Sequence, residues 1–433
     1  MRSPTPSRTL AAVLPTVADG STVTLCGHVH RRRELASVGF LVLRDRSGLA
    51  QVVAVPGTPL PPEETVVSVT GIAVTSAKAP GGVEVAEPQI TILSEPAHNA
   101  PFDLWRPSLA AGLPVLLDNA ALAWRHPAQR ARWEIAAASL SGFRRSLDAQ
   151  GFTEIQSPKL VSTATESGAN VFSVDYFGRP AYLAQSPQLY KQQLVGAFER
   201  VYEVGPVFRA EPHDTVRHLA EYVSLDAELG FIADHRDVLA VLRSVLAGMI
   251  EAIEARATQA CERLNVVLPV IDAEIPVIHF AEALRLVGAP DDEPDLAPDH
   301  ERQLGEWARR THGSDLLAVE GFPAVKRPFY THPWTGAEMP GGPWTNSFDL
   351  LFRGVELVTG GQRLHRHSDY LAALGARGKS LELYESYRQA FASGMPPQGG
   401  FAIGLERWVA RLVEAVNVRE VTLFPRDRQR LTP

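Results

Sequence analysis

Phe208-Arg209-Ala210-Glu211 closes an apolar run, RVYEVGPVFRAE, and leads into a polar loop, PHDTVRH, and a second run, EYVSLDAELGF. An arginine at a strand end, facing a loop with His213, Arg217 and His218, can grip a triphosphate. Guanidinium matches phosphate oxygens two at a time and keeps its charge inside a site. An exposed hairpin with ordinary surface charges would carry the same residues. A second candidate is GGFAIGLERWVARL, where Gly399, Gly400 and Gly404 precede Glu406-Arg407 and an amphipathic stretch. Glycines let a ligand approach the backbone, and an arginine at the helix start faces whatever sits there. A strand–helix packing turn reads the same way. The spacing matches neither the dinucleotide nor the P-loop fingerprint. The third candidate, GFTEIQSPKL, carries Pro158, which a simple turn explains equally well.

These segments need a scaffold. Residues 21–95 contain five β-branched-rich runs, VTLCGHVH, GFLVLRD, LAQVVAV, TVVSVTGIAV and GVEVAEPQITIL, separated by Gly, Pro, Asp and Ser. Five short strands in so little chain predict a small closed barrel of the oligonucleotide-binding (OB) kind. Residues 96–120 carry Pro96, Pro101, Pro107 and Pro114 with little periodicity and read as a linker. From about residue 127 the pattern is helical, with Trp133, Ile135, Ala136, Leu140, Phe143 and Leu147 near helical spacing and Gly151 as terminator. A second helix is expected from Asp234 through DHRDVLAVLRSVLAGMIEAIEARATQACERL, with Asp234 as its N-cap. Strand-like runs cluster around these helices, which predicts an α+β unit with a largely antiparallel sheet.

Composition is that of an ordinary soluble chain: 433 residues, 45% hydrophobic and 21% charged. No apolar run is long enough to span a membrane. The opening MRSPTPSRTLAAVLPTV lacks a long apolar core followed by a cleavage site and reads as a local lead-in. Two cysteines, Cys26 and Cys261, cannot make a zinc site alone, which suits a reducing cytoplasm. A net charge of −7 argues against a coat of basic surface, but a local patch exists at Arg31, Arg32 and Arg33.

Taken together and in order, the three candidate segments resemble the signature motifs of class II aminoacyl-tRNA synthetases. Further stretches, AYLAQSPQLYKQ, TVRHLAEYVSLDAELGFI, RPFYTHP, VELVTGGQRLH and FPRDRQRLTP, resemble the aspartyl-tRNA synthetase family. GHVHRRRELASVGFLVLRDRSGLAQVV resembles that family's anticodon-binding barrel. No large extra domain separates the second and third motifs, so the likeness is to the compact, archaeal-type branch. The resemblance implies an OB-fold anticodon-binding domain at 1–96, a hinge at 97–126 and a class II catalytic domain at 127–433, its antiparallel sheet flanked by helices.

It also implies ATP-dependent ligation of L-aspartate to tRNA(Asp) through an aspartyl-adenylate, with Mg²⁺, in a cytoplasmic homodimer with Pro158 near the interface and no membrane partner. By position in the motifs, Arg209 would clamp the α-phosphate and Arg407 the γ-phosphate. Glu211 would meet the adenine amino group, and Arg217 and His218 the outer phosphates. Glu356 and Thr359 would hold the metal, Glu356 as a carboxylate working with phosphate oxygens. An aspartate side chain demands fixed cations, since a buried carboxylate without partners is costly. Lys191 and Arg363 match the cationic readers, with Glu166, Gln185 and Gln188 holding the amino end and ordering the pocket. In the barrel, Phe40 would stack an anticodon base unless it belongs to the core, and Gln51 would hydrogen-bond one. His30 and Pro80 take the form expected of enzymes strict for tRNA(Asp).

Several positions depart from the family pattern. Ala402 stands where the third motif has glycine, Ser167 where a TEGGA run has its first glycine, and His28 where the barrel has tryptophan. LLDNAALAWRHP matches poorly to an arginine-rich run near the dimer interface. These departures keep open a diverged paralogue that passes activated aspartate to another acceptor; an asparaginyl-tRNA synthetase is the alternative that Lys191 argues against, and an RNA-binding protein using the barrel alone is the one that the intact Arg209, Glu356 and Arg407 argue against.

Overall fold

The structure, a computed structural model, describes residues 7–162, 171–210, 212, 215–339, 341–378 and 381–432, without the side chains of Pro80 and Leu383. The chain divides into two compact units, Met1–Gly112 and Leu113–Pro433.

In the first unit, β1 (Thr22–Leu35), β2 (Val38–Arg44), β3 (Leu49–Ala54), β4 (Val66–Thr75) and β5 (Val83–Ser94) close a barrel in the order β1-β2-β3-β5-β4. Alternation decides which residues fill it. Val29, Leu41, Leu43, Val52, Val67, Val69 and Val85 point inward and are essentially unexposed. Closure needs a tight approach at Gly71, where a Cβ would lie 2.5 Å from the Ala86 carbonyl oxygen, beside a bulge in the β4–β5 ladder. One buried ion pair crosses the barrel: Arg44 Nη2 donates to both oxygens of Glu64 at 2.8 and 2.9 Å.

The second unit opens with two short helices, α1 (Leu113–Asp118) and α2 (Ala120–Ala123), in a stretch the sequence read as linker. Then come α3 (Pro127–Ala149), β6 (Thr153–Glu154) and a small sheet of β7 (Leu160–Val161), β8 (Ser173–Tyr176) and β9 (Arg179–Leu183). After α4 (Gln188–Phe198) the chain forms the hairpin β10 (Arg200–Phe208) and β11 (Glu221–Gly230). Next are α5 (His235–Arg256), α6 (Thr258–Leu264), β12 (Val277–His279), α7 (Phe280–Val287) and α8 (Pro298–His312). β13 (Leu316–Glu320), β14 (Ser347–Phe352), β15 (Glu356–Arg363), α9 (His367–Ala376), α10 (Glu385–Ala392), β16 (Gln398–Gly404) and α11 (Leu405–Leu412) complete it.

The main sheet runs β12-β13-β14-β15-β16-β11-β10-β6 and is antiparallel except at its two edge pairs. Odd residues of β11 and β16, Leu225, Ala227, Phe401 and Ile403, join Phe143, Leu242, Met249 and Trp408 in the core. Helices α3 and α5 cross closely because Gly142 meets Gly248; a Cβ at Gly142 would sit 2.5 Å from the Gly248 carbonyl oxygen. Asp234 caps α5 by accepting from the Arg236 N–H at 2.7 Å. The single helix expected from Asp234 is two, broken at Ala257, where the φ is −130°. Thr258 bends its hydroxyl back to the Glu254 carbonyl, a local bond that competes with the helix ladder.

Candidate active site and RNA-binding face

The even residues of β11 point away from the core: Ser224, Asp226 and Glu228. Ser224 and Asp226 line a cleft of about 330 Å³, in the range of small-molecule sites, with Glu228 enclosed behind its buried end. Register sets Gly404, Ala402 and Gly400 of β16 beside Ser224, Asp226 and Glu228 in turn. At Gly400 the missing side chain is essential, because a Cβ there would collide with the Glu228 carboxylate. Ala402 lies between Asp226 and Thr359 on the cleft floor.

The buried end holds two cations and two anions. Lys191, in the first turn of α4, is 1% exposed. Its Nζ lies 2.9 Å from Asp226 Oδ1 and 3.1 Å from Glu228 Oε2. Arg363, at the end of β15, donates from Nε to Glu228 Oε1 at 2.9 Å and from Nη2 to the Gly400 carbonyl at 3.0 Å. Its guanidinium also stacks 5.6 Å from the Tyr330 ring centre. Burial pulls the Arg363 pKa down, but the Glu228 charge beside it wins and holds it above the ordinary value. Behind Lys191, the hydroxyls of Tyr370 and Tyr387 converge on Gln192 Oε1 at 2.8 and 2.5 Å, locking the next residue of α4. Gln185 and Gln188 line the same end, and among the described residues the buried Gln188 Nε2 has no hydrogen-bond partner.

At the outer end, Arg209 follows β10, its guanidinium 5.5 Å from the Tyr222 ring centre. Arg407, in the first turn of α11, donates to the Glu356 carbonyl at 3.0 Å and lies 3.7 Å from its carboxylate. Arg217 and His218 line the cleft as well. His218 Nδ1 is 2.6 Å from the Thr215 hydroxyl. Glu356 accepts from the Thr359 hydroxyl at 3.2 Å. Below them Asp349, bound by both Arg327 Nη atoms at 3.1 and 2.8 Å, is pushed up to about 6. Burial is the main cause, Arg327 opposes it and the Glu356 charge adds to it.

Among the described residues no cluster of three His, Cys, Asp or Glu side chains could hold a metal ion. Glu356 and Thr359 nonetheless bring a carboxylate and a hydroxyl together at the cleft, a donor set that fits a divalent cation taking its other ligands from phosphates and water. Glu166 and Glu211 lie outside the described residues, as does Ser167.

Sequence reading missed three acids. Asp226 and Glu228 alternate on an otherwise apolar buried strand, a pattern visible in SLDAELG. Glu301, in the first turn of α8, gave no signal. Its Oε2 accepts the Glu356 N–H at 3.0 Å and lies 3.9 Å from Arg217. Burial raises its pKa above the ordinary carboxylate value.

On the barrel, Phe40 is half-buried on the outer face, not in the core. Gln51 lies diagonally from it, opposite Val42, and donates to Glu84 at 2.8 Å. β1 sets Arg33 opposite Phe40 and Arg31 opposite Val42. His30 is not on this face: it is buried, its Nδ1 2.9 Å from Arg44 Nη1, within the internal ion-pair group. Pro80 opens a one-turn 3₁₀ helix, Pro80–Gly82, before β5.

Residues 113–428 match a family described as tRNA synthetases class II (D, K and N), and residues 23–93 match an OB-fold nucleic acid binding domain. An aspartate–tRNA(Asp/Asn) ligase of Thermus thermophilus is 46% identical over 96% of this chain and 97% of its own. An aspartate–tRNA(Asp) ligase of Thermococcus kodakarensis is 35% identical over 96% and 97%. The crystal structure of asparaginyl-tRNA synthetase from Pyrococcus horikoshii with asparaginyl-adenylate superposes with a TM-score of 0.87 at 28% identity, covering 96% of this chain and 97% of that one.

Proposed function

The chain belongs to the class II tRNA synthetases of the aspartate, lysine and asparagine group, and from that membership we propose that it joins L-aspartate to tRNA(Asp) at the expense of ATP. The α-carboxylate oxygen of aspartate attacks the α-phosphorus, the bond to the β-phosphate oxygen breaks, and pyrophosphate leaves. The terminal ribose hydroxyl of tRNA then attacks the aspartyl carbonyl and displaces AMP. A carboxylate is already a nucleophile at pH 7, so the first step needs alignment and charge cancellation more than acid–base help.

Arg209 clamps the α-phosphate, Arg407 the γ-phosphate, and Arg217 and His218 the outer phosphates. Glu356 and Thr359 would hold Mg²⁺, which would supply further neutralisation of the phosphates. Lys191 and Arg363 read the aspartate side chain, Asp226 meets its ammonium, and Gln185 and Gln188 order the pocket. By family position Glu166 and Glu211 serve the amino end and the adenine. Phe40 and Gln51 meet the anticodon. The observation that carries the assignment is the pair of buried cations, Lys191 and Arg363, opening on one cleft with Arg209 and Arg407. An asparagine-specific relative should not need Lys191, which makes this lysine the discriminator between the two amino acids.

The deciding experiment charges tRNA(Asp) and tRNA(Asn) with aspartate and with asparagine. Aspartyl-tRNA(Asp) is expected; asparaginyl-tRNA alone would overturn the assignment. Aspartate-dependent pyrophosphate exchange with no tRNA charging would move the acceptor to another molecule. The name of the Thermus relative favours a second reading on the RNA side, in which tRNA(Asn) also accepts aspartate.

The protein works as a homodimer. Leu160, Tyr176 and Phe177 of the small sheet that follows Pro158 are 49%, 41% and 89% exposed, and such apolar surface suits a subunit interface. Sedimentation that finds only monomer would count against this. Cys26 and Cys261 are free thiols, compatible with the cytoplasm. No helix among the described residues is long and apolar enough to cross a membrane.

A further inference from the structure

Beside the Phe40–Gln51 face sits a side-chain stack that none of the roles above uses. Trp105, in the Pro-rich stretch after β5, lies under the Arg31 guanidinium at 4.0 Å from its ring centre, with Arg106 at 5.1 Å. Asp103 holds Arg106 at 2.7 Å. Arg31 differs. Among the described residues neither Arg31 nor its neighbour on the same face, Arg33, has a carboxylate partner or a side-chain hydrogen bond. The Trp105 indole N–H also makes no hydrogen bond among them. In a chain of net charge −7, two unpaired arginines interleaved with two aromatic rings on one barrel face form a concentrated exception. Stacking on an indole fixes a guanidinium flat and leaves its N–H edge free for phosphate oxygens. Cations alternating with aromatics are how single-stranded nucleic acid is held.

We propose that Arg31 and Trp105 form a second RNA contact, taking a phosphodiester of the tRNA strand whose base stacks on Phe40. The inference rests on the tRNA-ligase reading and extends its RNA footprint beyond the barrel strands, to a residue in the stretch that follows them. The diagonal relation of Arg31 to Phe40 across the β1–β2 ladder places the contact about one nucleotide from the stacked base.

The test is tRNA(Asp) binding to the full-length protein over a salt series. Arg31→Ala should weaken binding about tenfold and lower the slope of log affinity against log salt by about 0.7, the value for one single-strand phosphate contact. Arg31→Lys should keep the slope and weaken binding less. Trp105→Ala should weaken binding several-fold at unchanged slope, because the charge remains, and Trp105→Phe should restore most of it. Arg31 stacks only on Trp105, and neither residue belongs to the barrel core, so its replacement leaves the barrel standing. A wild-type slope in Arg31→Ala, or wild-type affinity in Trp105→Ala, overturns the proposal. If the unaltered protein neither binds nor charges tRNA, the ligase reading itself fails and this contact falls with it. Charging by the unaltered protein separates the two failures.

Discussion

At the buried end of the cleft, the Lys191 and Arg363 side chains are 1% and 8% exposed, and both reach Glu228, which is fully enclosed. At the outer end the Arg217, Arg407 and Glu356 side chains are 38%, 37% and 39% exposed. The charges are similar in number and different in mounting. Buried ions must be paired in advance, because desolvation is too costly to leave any of them alone. That pairing fixes their positions, which suits a small substrate distinguished by one carboxylate. Exposed ions are screened and individually weak. That suits a long triphosphate that brings its own charge and cation and must leave again as pyrophosphate.

Cutting into the buried end should hurt most. Lys191→Ala strands Asp226 and Glu228 together in a dry site. We expect aspartate-dependent exchange to fall on the order of a thousandfold and stability to drop by roughly 3–5 kcal/mol, while nucleotide binding persists. Exchange rate and thermal unfolding measured on one preparation check both. Retained activity with asparagine would break the assignment of this end. Arg407→Ala is the matching cut at the outer end. It should lower kcat/KM for ATP about a hundredfold and leave stability within about 0.5 kcal/mol. If Arg407→Ala destabilised the protein as much as Lys191→Ala, the contrast in mounting would be wrong.

The same contrast explains what the sequence could disclose. The barrel was legible because period-2 alternation writes burial directly: Leu41, Leu43 and Val52 go in, Phe40 and Gln51 go out. Motif order singled out Lys191, Arg209, Arg363 and Arg407 in the sequence, and the fold brings all four to one cleft. The alternation of Asp226 and Glu228 is visible in sequence, but their pairing is not, because their partner Lys191 is 35 residues or more away and only folding brings α4 over β11. Glu301 was hidden more deeply, because its function is to hold the backbone of Glu356, 55 residues on. His30 is buried beside Arg44, a placement the sequence does not disclose, because a polar residue on a strand carries no mark of facing inward. The break at Ala257 was missed since helical periodicity continues across it.

Glu406 tests what a buried carboxyl does in this site without a cation of its own. It accepts the Val223 N–H at 3.1 and 3.2 Å, and burial pushes it up to about 7 from the usual 4.5, those bonds opposing and the Glu221 charge adding. The folded protein therefore binds this proton more tightly than the unfolded chain does. The stability it contributes is present below about pH 4.5 and is lost as pH rises to about 7. Glu406→Gln keeps an acceptor for Val223 and removes the titration. The variant should gain on the parent by about 3 kcal/mol between those pH values. Denaturant unfolding at a series of pH values reads the difference, and a flat difference curve would show that Glu406 is already ionised when folded.

The smallest effect belongs to the residue that joins the two kinds of mounting. Glu301 is buried like the inner set yet serves the outer one: it receives the Glu356 N–H and faces Arg217. Glu301→Gln retains a carbonyl for the N–H and loses the charge toward Arg217; Glu301→Ala loses both. A backbone hydrogen bond of this sort is worth about 1 kcal/mol. The alanine variant should therefore raise the KM for ATP and the Mg²⁺ midpoint about fivefold, and glutamine about twofold. The KM for aspartate should not move in either, because the inner ions make no contact with Glu301. A change confined to kcat, or one shared equally by both substrates, would place Glu301 in the general scaffold and remove it from the outer site.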